Sequence, residues 1–204
     1  KFSFGLYKLF TNYSLSSRAP NASEQFSEGL HHSASRIELG DLQFGSETAH
    51  KTSLTLQKRG EIFDFTVSPF ATRIDDFILI EPTGIRQTIR GNFQVWEYRQ
   101  TQAQMYGLDL DASLSLSDNM RFVHQFSLVK GYDKTSNEPR ISMPAASTLN
   151  SLVYTNPNFK NLSISVQSNY VFRQNEFPNT NFEVTILDTK QTIDISTPPA
   201  GYHL

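Results

Sequence analysis

The chain has 204 residues, a length that allows one or two domains. Its 18 basic and 20 acidic residues leave a net charge of −2, which excludes the polybasic surface typical of nucleic-acid-binding proteins. It contains no cysteine, which excludes disulfides and thiolate metal sites. No apolar run approaches the roughly 20 residues of a transmembrane helix.

A long connection separates the first two predicted strands. Alternating apolar residues predict a strand over residues 2–17 and another over residues 51–58, where Leu54 and Leu56 alternate with polar residues. Between them, residues 18–46 are rich in Ser, Asn, Gly and Glu, a composition that predicts an irregular loop.

A third strand follows a tight turn at Arg59 and Gly60. Its alternating pattern begins at Phe63 and continues toward Ile80, and we expect a bulge or kink where Pro69 interrupts it. Residues 81–93, which include a proline and a glycine, predict a second long connection.

The fourth predicted strand, residues 97–117, has the clearest pattern in the chain. One parity is mostly apolar and comprises Tyr106, Leu108, Leu110, Ala112, Leu114 and Leu116. The other parity is small or polar and comprises Gly107, Asp109, Asp111, Ser113, Ser115 and Ser117. Successive strand side chains point to opposite faces, so this strand has one apolar and one hydrated side. A membrane-spanning strand needs about 9–11 residues, and the run is long enough.

The remaining pattern repeats this alternation. A turn at Asp118 and Asn119 precedes a fifth strand over residues 122–128, and a third long connection covers residues 132–144. A sixth, weaker strand is predicted over residues 147–154.

A tight turn at residues 156–158 leads to a seventh strand over residues 162–172. A fourth long segment, residues 174–199, is expected to hold a small hairpin around residues 181–195. An eighth strand begins at residues 201–204.

Short and long connections therefore alternate along the chain. Outer-membrane barrels show this asymmetry, with short turns at one end and long loops at the other. A soluble β-sandwich has no general reason to collect its long loops at one end. The pattern predicts an all-β antiparallel meander of long strands, part of a transmembrane β-barrel, with the sandwich as the alternative.

Two segments resemble the C-terminal barrel region of TonB-dependent outer-membrane receptors. The first comprises Arg18-Ala19-Pro20, Glu24, Phe26, Gly29, His31, Ala34, Glu38-Leu39-Gly40-Asp41-Leu42 and Glu47. The second comprises Gln94-Val95-Trp96-Glu97-Tyr98, Gln100, Ala103 and Tyr106-Gly107. The resemblance covers essentially the whole chain, which is expected to form one partial barrel domain over residues 1–204.

The resemblance implies an active importer in the bacterial outer membrane, in contact with membrane lipid. Its ligand would be scarce and bulky, such as a ferric siderophore, haem, another metal complex or cobalamin. The TonB protein would act through a plug that the chain is expected to lack, together with the final barrel strand. Family barrels have about 22 strands, so we expect an excised piece that oligomerises, depends on detergent or rearranges.

The resemblance also bears on the candidate ligand residues. His31 and His32 have metal or haem potential, because neutral imidazole is a ligand for both. Neighbouring side chains in extended backbone point apart, so Glu24, Glu28 or Asp41 could join them only if the loop folds back. His31 resembles a position that the family usually fills with His, which favours a bracing role. His32 is therefore the predicted ligand contact, within a loop that we expect to capture ligand.

No catalytic motif is present, so we expect no enzyme activity, no cofactor and no nucleic-acid partner. Asp109 and Asp111 are interpreted as acids that hydrate a barrel interior. Two other interpretations remain open: a small complete outer-membrane barrel that serves as anchor or adhesin, and a secreted β-sandwich binding module. The residues expected to face lipid are Leu108, Leu110, Leu114, Leu116, Leu162, Ile164 and Val166.

Overall fold

A computed structural model of the chain describes residues 2–140, 142–176, 178, 182–186, 189–193 and 201–203. Within these residues the structure is almost entirely β-strand. The exception is one five-residue helix, α1 (Ala22–Phe26).

The described residues form thirteen strands. They are β1 (Phe2–Phe4), β2 (Tyr7–Arg18), β3 (Glu28–His31), β4 (Arg36–Leu39), β5 (Glu47–Lys58), β6 (Phe63–Thr88), β7 (Gly91–Ser117), β8 (Met120–Asp133), β9 (Ser147–Asn156), β10 (Leu162–Val171), β11 (Phe182–Ile186), β12 (Thr189–Ile193) and β13 (Gly201–His203).

One large sheet contains most of these strands in the order β1-β2-β5-β6-β7-β8-β9-β10-β13, and every neighbouring pair in it is antiparallel. The small hairpin β3–β4 joins this sheet through a parallel pairing of β4 with β7. β11 and β12 form a separate hairpin at the position expected from the sequence. The predicted all-β antiparallel meander is confirmed, and the pairing of β4 with β7 is its parallel exception.

Short and long connections lie at opposite ends of the sheet. The turns at residues 5–6, 59–62, 118–119 and 157–161 lie at one end, which we call the turn end. The connections at residues 19–46 and 134–146 lie at the other, the loop end. The alternation expected from the sequence is thus present in the described residues.

Two predicted boundaries are wrong at the two ends of the sheet. The strand expected over residues 2–17 is divided, because Gly5 has a φ of +57° and forms a tight turn between β1 and β2. Such a φ is readily adopted only by glycine. Residues 81–93 form no loop, since β6 and β7 continue as a hairpin whose turn lies at residues 89–90.

Residues 18–46 are also more regular than predicted, since they contain α1, β3 and β4. Pro69 does not produce the expected bulge. Pairing between β5 and β6 is interrupted opposite it, because proline has no N–H, but the register is the same on both sides. The register of β6 on β7 shifts instead between Ile74 and Phe77 and again between Pro82 and Gly84.

The shift after Ile74 divides the sheet into two regions. We call the wall the part toward the turn end: β2, β5, β8, β9 and β10, with β6 up to Ile74 and β7 from Ala103. We call the cap residues 19–46, 75–102, 134–140 and 142–146, which lie at the loop end. In the cap, the continued β6–β7 hairpin extends beyond the wall.

The wall has one apolar and one polar face. The register aligns Leu114 with Phe122, Phe122 with Leu152, and Leu152 with Val166, so these side chains lie on one face across β7 to β10. The seven residues expected to face lipid share this face by parity.

The opposite face carries hydrogen bonds between side chains of neighbouring strands. These pairs are Thr55 with Ser68 (3.0 Å), Asp111 with Gln125 (2.7 Å), Asp109 with Ser127 (2.8 Å) and Asp64 with Arg121 (3.0 Å). Asp109 and Asp111 thus accept hydrogen bonds from neutral partners on the polar face, in agreement with their interpretation as hydrating acids.

Candidate ligand-binding site

Arg18 fixes both ends of the first long connection. Its guanidinium donates to both carboxylate oxygens of Glu24 at 3.0 Å and to Glu47 Oε2 at 2.7 Å. Glu24 and Glu47 are both buried, and Glu47 Oε1 also accepts from the backbone N–H of Ile78. Bidentate arginine–carboxylate pairs are strong and directional, so this cluster holds the connection on the wall.

Helix α1 begins on the same cluster. Asn21 is its N-cap and accepts a hydrogen bond from the Glu24 N–H, while the Glu24 carboxylate accepts one from the Asn21 N–H at 2.8 Å. This reciprocal arrangement is a capping box, which satisfies two backbone donors. The Glu24 carboxylate is therefore occupied by Arg18 and Asn21.

β3 and β4 bring His31, Arg36 and Glu38 together. Arg36 Nε and His31 Nδ1 donate to Glu38 Oε1 at 2.7 and 3.1 Å. Burial tends to raise the pKa of the Glu38 carboxyl, but hydrogen bonds from His31 and Arg36 outweigh this and lower the pKa below its ordinary value. The Arg36 guanidinium also lies 4.5 Å from the centroid of Trp96, which fixes β4 on β7.

A cavity of about 210 Å³ opens beside this cluster. It is lined by Ser23, Ser27, Glu28, Gly29, Leu30, His31 and Glu38. Hydroxyls, two carboxylates and an imidazole therefore surround one space at the loop end. Oxygen and nitrogen atoms of these kinds can hydrogen-bond a polar ligand or bind a cationic group.

The structure brings two of the four candidate residues to this cavity. Glu28 and His31 line it, whereas Glu24 lies beneath with its carboxylate bound to Arg18. His32 is exposed in the β3–β4 turn, and its imidazole makes no hydrogen bond within the described residues. Asp41 accepts from the Gln43 N–H at 2.9 Å and does not join the group.

Arg36 and Glu38 are the residues that sequence reasoning did not single out as site residues. They are two positions apart in β4, which places both side chains on one face of a strand. That spacing is a usable signal only once residues 36–39 are known to be a strand. No group of three or more His, Asp or Glu side chains placed to bind a metal occurs within the described residues.

A second polar cluster connects the start of the long connection after β8 to the cap hairpin. Asp133, which is 2% exposed, accepts hydrogen bonds from Arg99 Nη2, Thr101 Oγ1 and the N–H groups of Thr135 and Ser136. Arg99 also donates to Glu81 at 2.7 Å, which raises the pKa of Arg99. This cluster was not expected from the sequence.

Arg140 completes this cluster from the segment that follows β8. Its guanidinium lies 4.8 Å from the Phe77 ring centroid, and Nη1 is 3.9 Å from Glu81 Oε1. Nε and Nη1 are buried without a hydrogen-bond partner among the described residues. Burial lowers the pKa of Arg140 below its ordinary value.

Comparison with known protein families identifies one family that matches nearly the whole chain. Residues 5–204 match the family model described as TonB dependent receptor-like, beta-barrel. No curated protein sequence matches the chain significantly. Within the described residues, no helix is long and apolar enough to cross a membrane.

Three solved structures are similar to the chain over nearly its whole length. The copper transporter OprC has 17% identity and a TM-score of 0.73, with 96% of this chain and 28% of that chain covered. The siderophore receptor PirA from Acinetobacter baumannii has 14% identity and a TM-score of 0.63, with 98% and 32% covered. The FrpB iron transporter from Neisseria meningitidis has 15% identity and a TM-score of 0.59, with 98% and 29% covered. The chain spans less than a third of the length of each of these proteins. At identities this low, the structural similarity establishes a shared fold and no more.

Proposed function

Because this chain belongs to the TonB-dependent receptor β-barrel family of the Gram-negative outer membrane, we propose that its cap helps to bind a scarce metal complex for import. The wall would supply part of the barrel, with its apolar face toward lipid and its polar face toward the lumen. The cap would then lie on the cell exterior. We propose no role in energy coupling to TonB for any residue of the wall or the cap.

The observation that supports this proposal is the cavity lined by Glu28, His31 and Glu38. Similar structures include proteins described as a copper transporter, a siderophore receptor and an iron transporter, so metal-containing ligands are the class to test. The carboxylates and imidazole of the cavity suit a ligand that presents a metal or another cationic group. The proposed role is that of a transport receptor and not that of an enzyme.

His31 and His32 have different proposed roles. His31 contacts Glu38 and Ser33, so it braces the loop and its replacement should lower the assembly yield. His32 has no side-chain partner within the described residues and is the proposed direct contact with ligand. Glu28 is exposed at the rim of the same cavity and is the proposed second contact.

Growth on limiting metal complexes tests these roles in a strain that depends on the complete receptor. His32→Ala and Glu28→Gln should each weaken uptake modestly, because only a few contacts in a binding surface exceed about 1 kcal/mol. His124→Ala is the matched control, since this histidine lies in the wall with its Nδ1 2.7 Å from Asn150 Oδ1. Growth must be compared at equal receptor abundance.

If His32→Ala and Glu28→Gln support growth equal to wild type on every complex tested, the loop is a structural lid and not a capture surface. If growth fails only together with receptor abundance, these residues act on assembly. Direct binding of each metal complex to the purified receptor distinguishes weakened capture from a later transport defect.

A further inference from the structure

The segment that follows β8 lies against β8 where β9 does not reach. β8 is longer than its pairing with β9, which ends at Ser127. Beyond that point the edge of β8 is covered through a β-bridge between Tyr132 and Pro139 and a hydrogen bond from the Arg140 N–H to Gly131 O. These backbone contacts fix Arg140 beside β8.

The Arg140 side chain lies on the polar side of the sheet. Gly131 has the same parity on β8 as Ser127, which belongs to the polar face. A Cβ on Gly131 would lie 3.2 Å from Arg140 Cγ and 2.9 Å from Met143 Sδ, so the absence of a side chain at Gly131 leaves room for both. The Arg140 guanidinium then reaches Phe77 of the cap hairpin, 4.8 Å from the ring centroid.

This guanidinium is buried, yet its donors are not satisfied. Arg140 is 5% exposed, and its Nε and Nη1 have no hydrogen-bond partner among the described residues. Nη1 is 3.9 Å from Glu81 Oε1, which is too far for a hydrogen bond, and Glu81 Oε2 already accepts from Arg99. A buried charge without hydrogen-bond partners destabilises the folded state. The environment of Arg140 therefore lacks an acceptor that carries negative charge.

A cavity of about 280 Å³ adjoins Arg140, and a second arginine lines it. Arg173 follows Val171 at the end of β10 with the same parity, which the register through β9 assigns to the polar side. It is exposed and has no hydrogen-bond or ion-pair partner within the part of the chain that the structure describes. Met143 and Phe172 also line the cavity, and such apolar neighbours strengthen electrostatic attraction by excluding water.

The described charges around this cavity leave an excess of one positive charge. The cap cluster that contains Arg140 has two arginines and two carboxylates, so it is neutral. Lys130 also lines the cavity, but it is paired with Glu176. Arg173 is the remaining charge, and the cavity therefore favours a group with a single negative charge.

We propose that this cavity binds a carboxylate group, which accepts hydrogen bonds from the Arg140 guanidinium and is attracted by the charge of Arg173. Arginine forms strong charge-assisted hydrogen bonds with carboxylates. Because Nε and Nη1 have no partner to give up, Arg140 loses only its contact with the Phe77 ring when it turns toward the cavity. The carboxylate belongs either to a free organic acid or to an arm of the imported complex, and only the second source rests on the proposed function.

Binding of acetate to the complete purified receptor in detergent micelles tests the site. Isotope-labelled acetate is observed by nuclear magnetic resonance, where broadening of the carboxylate signal reports binding, and acetamide is the neutral control. Acetate should be broadened and acetamide should not. Arg140→Met should weaken acetate binding about tenfold or more, because a hydrogen bond to a charged group is lost. This measurement does not depend on what the receptor imports.

The variants are chosen so that loss of folding is not mistaken for loss of binding. Arg140→Met keeps a long side chain against Phe77 and removes an unpaired buried charge, so the receptor should remain folded. Arg173→Gln should weaken acetate binding only about two- to fivefold, since its charge is exposed. Arg59→Gln, an exposed arginine at the turn end, is the matched control and should have no effect.

Two gallium complexes distinguish the sources of the carboxylate. Citrate leaves carboxylate oxygens free in its gallium complex, whereas acetohydroxamate forms a gallium complex without carboxylates. If the carboxylate belongs to the imported complex, acetate should displace gallium citrate but not gallium acetohydroxamate from the receptor. Arg140→Met should then lower the retention of gallium citrate alone. If the carboxylate belongs to a free organic acid, Arg140→Met should weaken acetate binding and leave the retention of both gallium complexes unchanged.

Equal binding of acetate and acetamide, or acetate binding that Arg140→Met does not change, overturns the proposal, since water or another part of the complete receptor would then satisfy Arg140. Failure of the growth test on His32 and Glu28 contradicts the proposed function but leaves the acetate result as it is.

Discussion

The cap and the wall differ in how they bury their side chains. The buried apolar residues of the described chain are Ile37, Ile78, Leu79, Val95 and Ala103, and only Ala103 lies in the wall, at its boundary with the cap. The wall instead leaves apolar side chains uncovered, such as Ile164 at 52% and Val166 at 63% exposure. The cap combines this small buried core with a few exposed apolar side chains, namely Phe26, Leu42 and Ile89. The wall requires lipid on one face and hydration on the other.

The sharpest test of this difference compares two aspartates. Asp133 is the last residue of β8, but its hydrogen-bond partners Arg99, Thr101, Thr135 and Ser136 all lie in the cap. Asp133→Ala should cost about 3–5 kcal/mol in the free energy of unfolding, because the Thr101 hydroxyl and two backbone N–H groups lose their acceptor, and each buried unsatisfied donor costs about 1–3 kcal/mol. Asp109→Ala on the polar face of the wall should cost less than about 1 kcal/mol, since Asp109 is exposed and Ser127 can bond to water. Denaturant unfolding of the receptor in detergent micelles measures both. Equal losses would mean that the cap is no better packed than the wall.

A second test compares a charged substitution on the apolar face of the wall with one on its polar face. Leu110→Arg on the apolar face should cost about 2–4 kcal/mol in a bilayer, because the charge would be placed in hydrocarbon. Ser113→Arg on the polar face should be tolerated, because its neighbour Arg121 is 53% exposed and Asp64 can pair with an added cation. Folding yield in lipid vesicles gives the comparison. If Ser113→Arg were the damaging change, the assignment of the two faces would be reversed.

A third, smaller difference is expected between alanine substitutions of a glycine in the wall and a glycine in the cap. A Cβ on Gly107 would lie 2.4 Å from Leu128 O and 2.5 Å from the Phe70 ring, so Gly107→Ala should cost about 1–3 kcal/mol. A Cβ on Gly84, in the cap hairpin, would have no neighbouring atom within 4 Å, and Gly84→Ala should be neutral. Thermal unfolding in micelles measures both. A neutral Gly107→Ala would show that both the Phe70 ring and the Leu128 backbone move aside at little cost.

The sequence predicts the wall far better than the cap. Two-residue alternation, as in residues 105–117, directly encodes a two-faced strand, and tight turns at positions such as Asp118 and Asn119 determine where strands reverse. The strand alternation and the tight turns after β5, β7 and β9 were therefore predictable. The orientation in the membrane is a proposal that rests on the family and not on the alternation.

The cap depends on contacts that local patterns do not contain. Residues 81–93 contain Pro82 and Gly84 and were predicted as a loop, yet the hairpin continues because a register shift between these two residues accommodates them. Glu38 meets His31 because β3 pairs with β4, and this hairpin is held in place by the pairing of β4 with β7 across more than fifty residues. Asp133 and Arg99 are likewise joined by tertiary structure. Candidate residues could be named from the sequence, but their partners could not.

The smallest predicted effect concerns pH and the Glu38 cluster. The pKa of Glu38 in the folded protein is lower than its ordinary value of 4.5, so its carboxylate contributes stability that is fully present above that value. The contribution is lost as the pH falls through the lower, folded-state pKa.

Below pH 4.5, protection against amide hydrogen exchange, measured relative to the intrinsic exchange rate at each pH, should therefore fall in β3 and β4, whereas the wall segment around Asp109 should change less. The loss should be about 1 kcal/mol or less, because His31 and Arg36 are partly exposed to solvent. Arg36→Met removes one of the two donors that lower the pKa of Glu38, so the folded-state pKa should move toward 4.5 and the acid-induced loss of protection should become smaller. An acid-induced loss unchanged by Arg36→Met would assign the acid sensitivity of β3 and β4 to a group other than Glu38, and the cap would then lack the pH dependence that its buried carboxylate implies.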